Sequence, residues 1–445
     1  MQLANNQHNE LLIRLQNVRK FGDLNGTTAK KAENLHRLFL YPAMMVPITQ
    51  SLIIEALSEA LPKNAIAMDP YMGSGTSLMS CMEYGIGIYG QDINPLAVLI
   101  VNAKISSYNT LQIKQSYASL IDRIKQDKSS TIDVQFPGVD KWFSRQVQQD
   151  LSRLRRCIIA EKKQSIRYLY WVVMSEIIRL DSNDRTSTYK LHQRPIEDIV
   201  KREINVIRDF CVLFERCLND IEDFKQKLRL KKLLNGYIYS KYHQIHWGNS
   251  LKKINNDLKF DLLVSSPPYG DNHTTVTYGQ HSYLQLQWID PLDLDCNIDY
   301  DYLRTTQEID RQSLGGKLDS KWINNNLPDI LSRIPSLNLF YNSIPESDRA
   351  KYFKTISFIA DFEQSLDNIV ASMKDNAFYV WTIGNRYVNK REVPNDKILI
   401  DLMTNKHIPL IFNAEREILN KKQSKRNRSS QTMEKEHILI FQRQG

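Results

Sequence analysis

Ser266-Pro-Pro-Tyr269 follows the apolar run Phe260-Asp-Leu-Leu-Val264, a spacing that predicts a strand delivering a stiff, aromatic-tipped turn to a sheet edge. Two consecutive prolines, Pro267 and Pro268, fix φ and donate no backbone hydrogen bond. The carbonyls of Ser266 and Pro267 are then free to accept from a ligand, while Tyr269 offers a ring face. Oxygen acceptors grouped beside an aromatic ring suit a planar amine. The bland alternative is a stiff loop after a strand, and a second cluster upstream weighs against it.

That cluster begins where Ala65-Ile-Ala-Met68 leads into Asp69-Pro-Tyr-Met-Gly73-Ser-Gly75-Thr76 and an apolar stretch through Tyr84, implying strand, glycine turn and helix. Gly73 and Gly75 permit positive φ and close backbone approach, so a ligand can lie against the turn. A Gly-x-Gly alone reads more often as a structural turn. The next segment of the chain strengthens the ligand reading: Gly85-Ile-Gly-Ile-Tyr-Gly90 predicts a second strand ending near Asp92, twenty-three residues after Asp69. An acidic side chain there suits the two hydroxyls of a ribose. No third glycine completes Gly-x-Gly-x-x-Gly and no Gly-Lys-Ser/Thr follows the turn, which disfavours dinucleotides and triphosphates. A nucleoside lacking phosphate fits better, with Asp69 organising the turn and meeting an ammonium group.

On these residues the chain resembles the amino-methyltransferases of DNA, which move a methyl from S-adenosylmethionine to an exocyclic base nitrogen. The resemblance implies that Asp69, Pro70, Gly73, Gly75 and Thr76 form the cofactor loop, and that Asp92 and Asn94, in Gln91-Asp-Ile-Asn-Pro95, form the ribose-binding strand end. Gly248-Asn249-Ser250 falls where the family contacts the adenine ring. Phe39-Leu-Tyr-Pro-Ala-Met-Met45, with Phe39, Pro42 and Ala43, is similar to the segment at the methionine end of the cofactor. Ser266, Pro267, Pro268 and Tyr269 match the catalytic motif, in the serine form that the family associates mostly with cytosine N4. Further similarity to a cytosine-N4 subset of restriction-modification enzymes runs through 185–192, 271–279, 313–316 and 420–427. Double-stranded DNA and a cognate restriction endonuclease are the implied partners. Adenine N6 stays open as an alternative target, as does a catalytically silent nucleic-acid-binding protein that retains the cofactor fold.

Cysteine context bears on a neighbouring chemistry. Methylation at cytosine C5 needs a thiolate, carried by those enzymes after a proline, and none of Cys81, Cys157, Cys211, Cys217 and Cys296 follows one. An exocyclic amine needs no covalent help, but its lone pair is delocalised into the ring. Acceptors around the NH₂ can draw the nitrogen toward tetrahedral geometry and aim that lone pair at a methyl donor. The Ser266 hydroxyl and Pro267 carbonyl are the expected acceptors, and Tyr269 is expected to stack on the base. Such a base must leave the duplex stack at a cost of a few kcal/mol, which positive charge along the DNA backbone helps to offset.

The formal net charge is +9 over 445 residues, and residues 105–240 hold 25 Lys/Arg against 17 Asp/Glu, nearly the whole surplus. Arg185, Lys190 and His192, in a polar stretch between helical segments, are candidate DNA contacts. So are Lys421, Lys422, Lys425, Arg426 and Arg428, in a basic loop. The competing reading of each is a solvated surface. No apolar run reaches the roughly 18 residues needed to span a bilayer, no signal-peptide pattern opens the chain, and the cysteines show no Cys-x-x-Cys pair or His clustering. The expectation is a cytosolic protein with reduced thiols, no membrane association and no metal.

These groups need a frame to hold them. The expected fold class is α/β: a doubly wound, mostly parallel sheet of the Rossmann-like methyltransferase kind, with a C-terminal antiparallel hairpin and a helical insertion. The expected division is 1–104, an N-terminal segment and the cofactor-binding half; 105–240, a basic helical insertion and candidate recognition region; 241–290, the catalytic half; 291–360, a loop-rich insertion; and 361–445, completing strands. Residues 1–35 read as polar and irregular, 42–61 as a helix, and Tyr168-Leu-Tyr-Trp171 as core rather than stacking surface.

Overall fold

The computed structural model describes residues 2–28 (side chains from residue 8), 35–254, 257–272, 275–317, 319–419 and 433–443. Among these, seven strands form one sheet: β1 (Ile66–Asp69), β2 (Gly87–Asp92), β3 (His243–Trp247), β4 (Phe260–Ser265), β5 (Met373–Gly384), β6 (Leu410–Glu417) and β7 (Lys435–Gln442). Their spatial order is β6-β7-β5-β4-β1-β2-β3. The pairs β5-β4, β4-β1, β1-β2 and β2-β3 are parallel, whereas β7 runs antiparallel to both β5 and β6, which is the expected C-terminal hairpin.

The inner strands are mostly apolar because both faces are covered along most of their length. Side chains alternate between two cores: Ala67, Leu262, Val264 and Val380 enter one, Met68, Leu263, Tyr379 and Trp381 the other. The first core lies under α1 (Gln2–Phe21), α2 (Pro47–Ser58), α3 (Thr76–Glu83) and α4 (Pro95–Ile105). It extends without a break into α5 (Thr110–Gln126), α6 (Arg145–Ile159), α7 (Gln164–Asp181), α8 (Val206–Leu230) and α9 (Tyr278–Trp288). The segment 105–240 is helical, then, but shares its apolar core with the sheet. Tyr170 and Trp171 are fully buried in α7, as the sequence predicts. The second core lies under α10 (Ser320–Arg333), α11 (Pro335–Asn342), α12 (Phe353–Ala371) and α13 (Asn395–Asn405).

Three expectations about elements are corrected. Residues 2–21, expected to be irregular, form α1, because Leu11 and Leu15, one turn apart, are buried and Val18 packs against the same core. The helix expected from Pro42 begins at Pro47, where proline occupies the first turn. Ala43 instead takes a left-handed φ of 48°, so 42–46 form an irregular lead-in. The region 291–360 is less loop-like than its Asp, Asn and Ser content implies. Asp319 caps α10 by accepting from Lys321 and Trp322 amides, and Ile323, Ile330, Leu337 and Phe340 bury one face of α10 and α11.

Counting along the sheet from β3, the strand order reverses between β1 and β4, and the crevice beyond the carboxyl ends of such adjacent strands is where open α/β sheets bind ligands. The glycine turn leaves β1 and the proline turn leaves β4, so the two sequence motifs meet at that point.

Candidate active site

At the carboxyl end of β1, Asp69 is fully buried and organises the turn from beneath. Its carboxylate accepts from the Tyr71 amide at 3.1 Å, the Ser265 hydroxyl at 2.6 Å and the Ser77 hydroxyl, tying the two turns together. Burial pushes its pKa up to about 6 against those hydrogen bonds. Gly73 and Gly75 have φ of 48° and 77°; a Cβ on Gly73 would lie 3.2 Å from the Tyr41 ring and one on Gly75 2.8 Å from Val101. Each glycine is thus demanded twice, by conformation and by space. Below the turn, buried Lys104 donates to the Ser74 carbonyl at 2.7 Å, and burial lowers its pKa to about 7.

Asp92 ends β2 at the mouth of the same crevice. Its two oxygens accept from the amides of Gly73 at 2.9 Å and Asn94 at 2.8 Å, and burial raises its pKa to about 6. Each carboxylate oxygen keeps a lone pair for a further donor. Asn94 caps α4 through its side-chain oxygen and donates to the Tyr41 and Ser282 hydroxyls at 3.0 and 2.8 Å. Gly248 donates to the Asp92 carbonyl, so Gly248, Asn249 and Ser250 stand beside the β2 end.

Across the crevice, the half-buried Ser266 and Pro268 form the wall that leaves β4, with Pro267 buried behind them. A single cleft of about 840 Å³, measured to its open mouth, is bounded by Gly73, Ser74 and Thr76, by Asp92 and Asn94, by Gly248 to Ser250, by Tyr41 to Met45, and by Ser266 and Pro268. Of the sequence-predicted residues, Pro42, Ala43, Pro70, Gly73, Thr76, Asp92, Asn94, Asn249, Ser266 and Pro268 come together here. Phe39, Asp69, Gly75, Pro267 and Tyr269 stand behind this wall. Phe39 is fully buried with its ring edge-on to His281. Tyr269 lies against Gly384, and its hydroxyl is engaged by Ser266 and Glu436.

The cleft also includes Tyr41, Tyr71, Asn272, Tyr278, Ser313 and Leu314, none singled out individually from the sequence. All six do fall within the runs 39–45, 69–76, 271–279 and 313–316 that carried the resemblance, and that was the available signal. Asn272 donates to Ser313 at 2.8 Å, Ser313 donates to the Asp310 carbonyl at 2.7 Å, and the Asp310 carboxylate accepts from the Gly279 amide at 3.1 Å. Burial pushes the Asp310 pKa up to about 7.

No protein-family model matches the chain. Over nearly its whole length it is 29% identical to the Type II methyltransferase M.MvaI of Kocuria varians, in an alignment of 463 residues that takes in 99% of this chain and 98% of that protein. Its homologues are Type II methyltransferases. M.BsoBI of Geobacillus stearothermophilus is 26% identical over 277 residues, 56% of this chain and 52% of its own. M.MjaII of Methanocaldococcus jannaschii is 29% identical over 107 residues, 24% and 20% of the two chains.

Arg185, Lys190 and His192 are exposed on a loop closed by the Arg185 amide donating to the His192 carbonyl at 2.9 Å. The same loop brings Tyr189 against His281, and the Tyr189 carbonyl accepts from Thr277, next to Tyr278 of the cleft wall. Lys421, Lys422, Lys425, Arg426 and Arg428 lie outside the described residues. Among those described, no group of His, Cys, Asp and Glu could hold a metal ion, and no helix is long and apolar enough to cross a membrane.

Proposed function

We propose that this protein transfers a methyl group from S-adenosylmethionine to the N4 amine of cytosine in duplex DNA, as the modifying partner of a restriction endonuclease. The observation that carries this reading is the single cleft bounded by the glycine turn after β1 and by Ser266 and Pro268 after β4. The residues fit the cofactor: Gly73 exposes backbone without a Cβ, Asp92 keeps lone pairs for ribose hydroxyls, and among the described residues lining the cleft there is no Lys or Arg to receive phosphates, Lys104 being spent on the Ser74 carbonyl beneath the turn.

When bound, S-adenosylmethionine supplies an electrophilic methyl on a sulfonium. The chain's own work is to hold, orient and dry the amine. Gly248 to Ser250 and the Pro42 to Met45 segment bound the two ends of the nucleoside site. Ser266 Oγ, at the cleft wall, accepts from the amine of an everted base and localises the nitrogen lone pair toward the donor, while Pro267, buried behind it, stiffens the turn. Buried Asp69, through Ser265 and the Tyr71 amide, fixes the two turns relative to each other so that donor and amine meet in line.

Incubation of the protein with tritiated S-adenosylmethionine and duplex DNA, followed by digestion to nucleosides and mass identification, tests the reading. N4-methylcytosine is expected. N6-methyladenine would overturn the base assignment, and cofactor binding without incorporation on any DNA would favour a silent binding protein.

A further inference from the structure

Glu436 and Arg416 lie on β7 and β6, more than 140 residues from Ser266 in sequence, yet both converge behind the proline turn. They face each other across the hairpin ladder, and Arg416 Nε donates to Glu436 Oε2 at 2.7 Å. The other oxygen, Oε1, accepts from the Tyr269 hydroxyl at 3.0 Å. The Tyr269 hydroxyl in turn lies 3.1 Å from Ser266 Oγ, a contact in which either group could donate.

The ion pair decides the direction. A carboxylate paired with a guanidinium is acceptor-only, so the phenol proton points at Glu436. Tyr269 then has lone pairs left for Ser266, and Ser266 must donate to it. With its proton committed backwards, Ser266 Oγ presents lone pairs to the cleft. Burial, with Glu436 beside it, holds the Tyr269 hydroxyl protonated far above the usual phenol range, so the orientation does not lapse at working pH.

We infer that Glu436, held by Arg416, is a positioning residue that acts through Tyr269 to fix Ser266 as a hydrogen-bond acceptor for the substrate amine and to receive the proton that the amine loses. This rests on the amine-methylation reading above and holds for either base. As the nitrogen–carbon bond forms and the carbon–sulfur bond breaks, positive charge passes from sulfur to the amine. The amine returns to neutrality by giving a proton to Ser266 Oγ while Ser266 passes its own to Tyr269 and Tyr269 passes its own to Glu436. Glu436 ends protonated, and its side chain, 13% exposed, returns the proton to water. Tyr269, expected from the sequence to stack on the base, stands behind the cleft wall and serves instead as the link of a wire.

The test is a double-mutant cycle on the full chain with duplex DNA, measuring kcat, KM for DNA and Kd for S-adenosylmethionine. Glu436→Gln keeps the shape but lets an amide N–H face Tyr269; kcat is expected to fall roughly a hundredfold, with cofactor Kd unchanged within about twofold. Tyr269→Phe keeps the ring, removes the link and is expected to lose a similar factor. In the Tyr269→Phe background, Glu436→Gln is expected to add less than about twofold. Multiplying losses would mean that Glu436 acts as scaffold and would overturn the inference, as would full kcat in Glu436→Gln. Should Glu436→Gln fail to fold by thermal unfolding, Tyr269→Phe carries the test, since full kcat without the hydroxyl excludes the wire. No methyl incorporation by the unsubstituted protein on any DNA would sink the amine-methylation reading itself; incorporation with these variants unimpaired would sink only the wire.

Discussion

The Asp92 carboxyl sits at the end of β2 with the amides of Gly73 and Asn94 donating to it, and its pKa of about 6 is set by burial working against those bonds. A carboxyl raised above its ordinary 3.8 takes up a proton on acidification sooner than a solvated one. If ribose hydroxyls donate to the carboxylate, cofactor affinity is full above pH 7 and falls as the pH drops through 6, by about tenfold at one unit below the pKa. Calorimetric titration of S-adenosylmethionine between pH 5 and 8 reads this directly. Asp92→Ala should weaken binding by about 1 to 3 kcal/mol at pH 8 and flatten the profile; an unchanged dissociation constant would refute the ribose role. Residues like Asp92, Gly73 and Ser266 were legible in the sequence because their chemistry depends on their own type and on neighbours a few positions away. Glu436 was not legible, because it reaches the site only through a strand supplied by a distant part of the chain. Asn272 fell inside a run already noted, but its pairing with Ser313 is set by packing and leaves no local trace.

At the scale of elements, α7 is fastened to the segment after α9 through one buried carboxylate. Asp293 accepts from Arg167 at 2.7 to 3.0 Å and from the Trp171 indole at 2.7 Å, and its side chain is 3% exposed. Removing it would strand a largely buried guanidinium and an indole donor together. Asp293→Ala should cost about 3 to 5 kcal/mol in urea unfolding, and a cost near zero would mean that water takes over both partners. The same helices show what patterning could and could not convey. Strand positions were legible because apolar runs between turn residues have few alternatives. The α1 helix was hidden because two leucines are a thin signal in a polar stretch, and α10 because Asn-rich composition resembles a loop until Ile323 and Ile330 are seen seven residues apart. The unity of the core between α4 and α7 was not legible either, since periodicity says which face of a helix is buried but not against what.

For the whole molecule, the surplus of positive charge in 105–240 overstates what is available to a polyanion, because several of those cations are already paired. Acids outside the segment hold Arg167 (Asp293), Arg155 (Asp290) and Lys227 (Glu83). The exposed Arg185 and Lys190 are better placed, on a loop whose Tyr189 touches the elements behind the cleft wall. The basic run 421–428 belongs to the connection between β6 and β7, the two strands that carry Arg416 and Glu436 behind the proline turn. Phosphate contacts made there should release counterions without reading sequence. Replacing Lys425 and Arg426 together by alanine should weaken binding to any duplex, and should flatten the dependence of log affinity on log salt by about 1.8 if each cation meets one phosphate. Anisotropy titrations of specific and scrambled duplexes across a salt series measure both quantities. A loss confined to the specific duplex, with the salt slope unmoved, would reassign these residues to base recognition and return the phosphate contacts to the Arg185 loop.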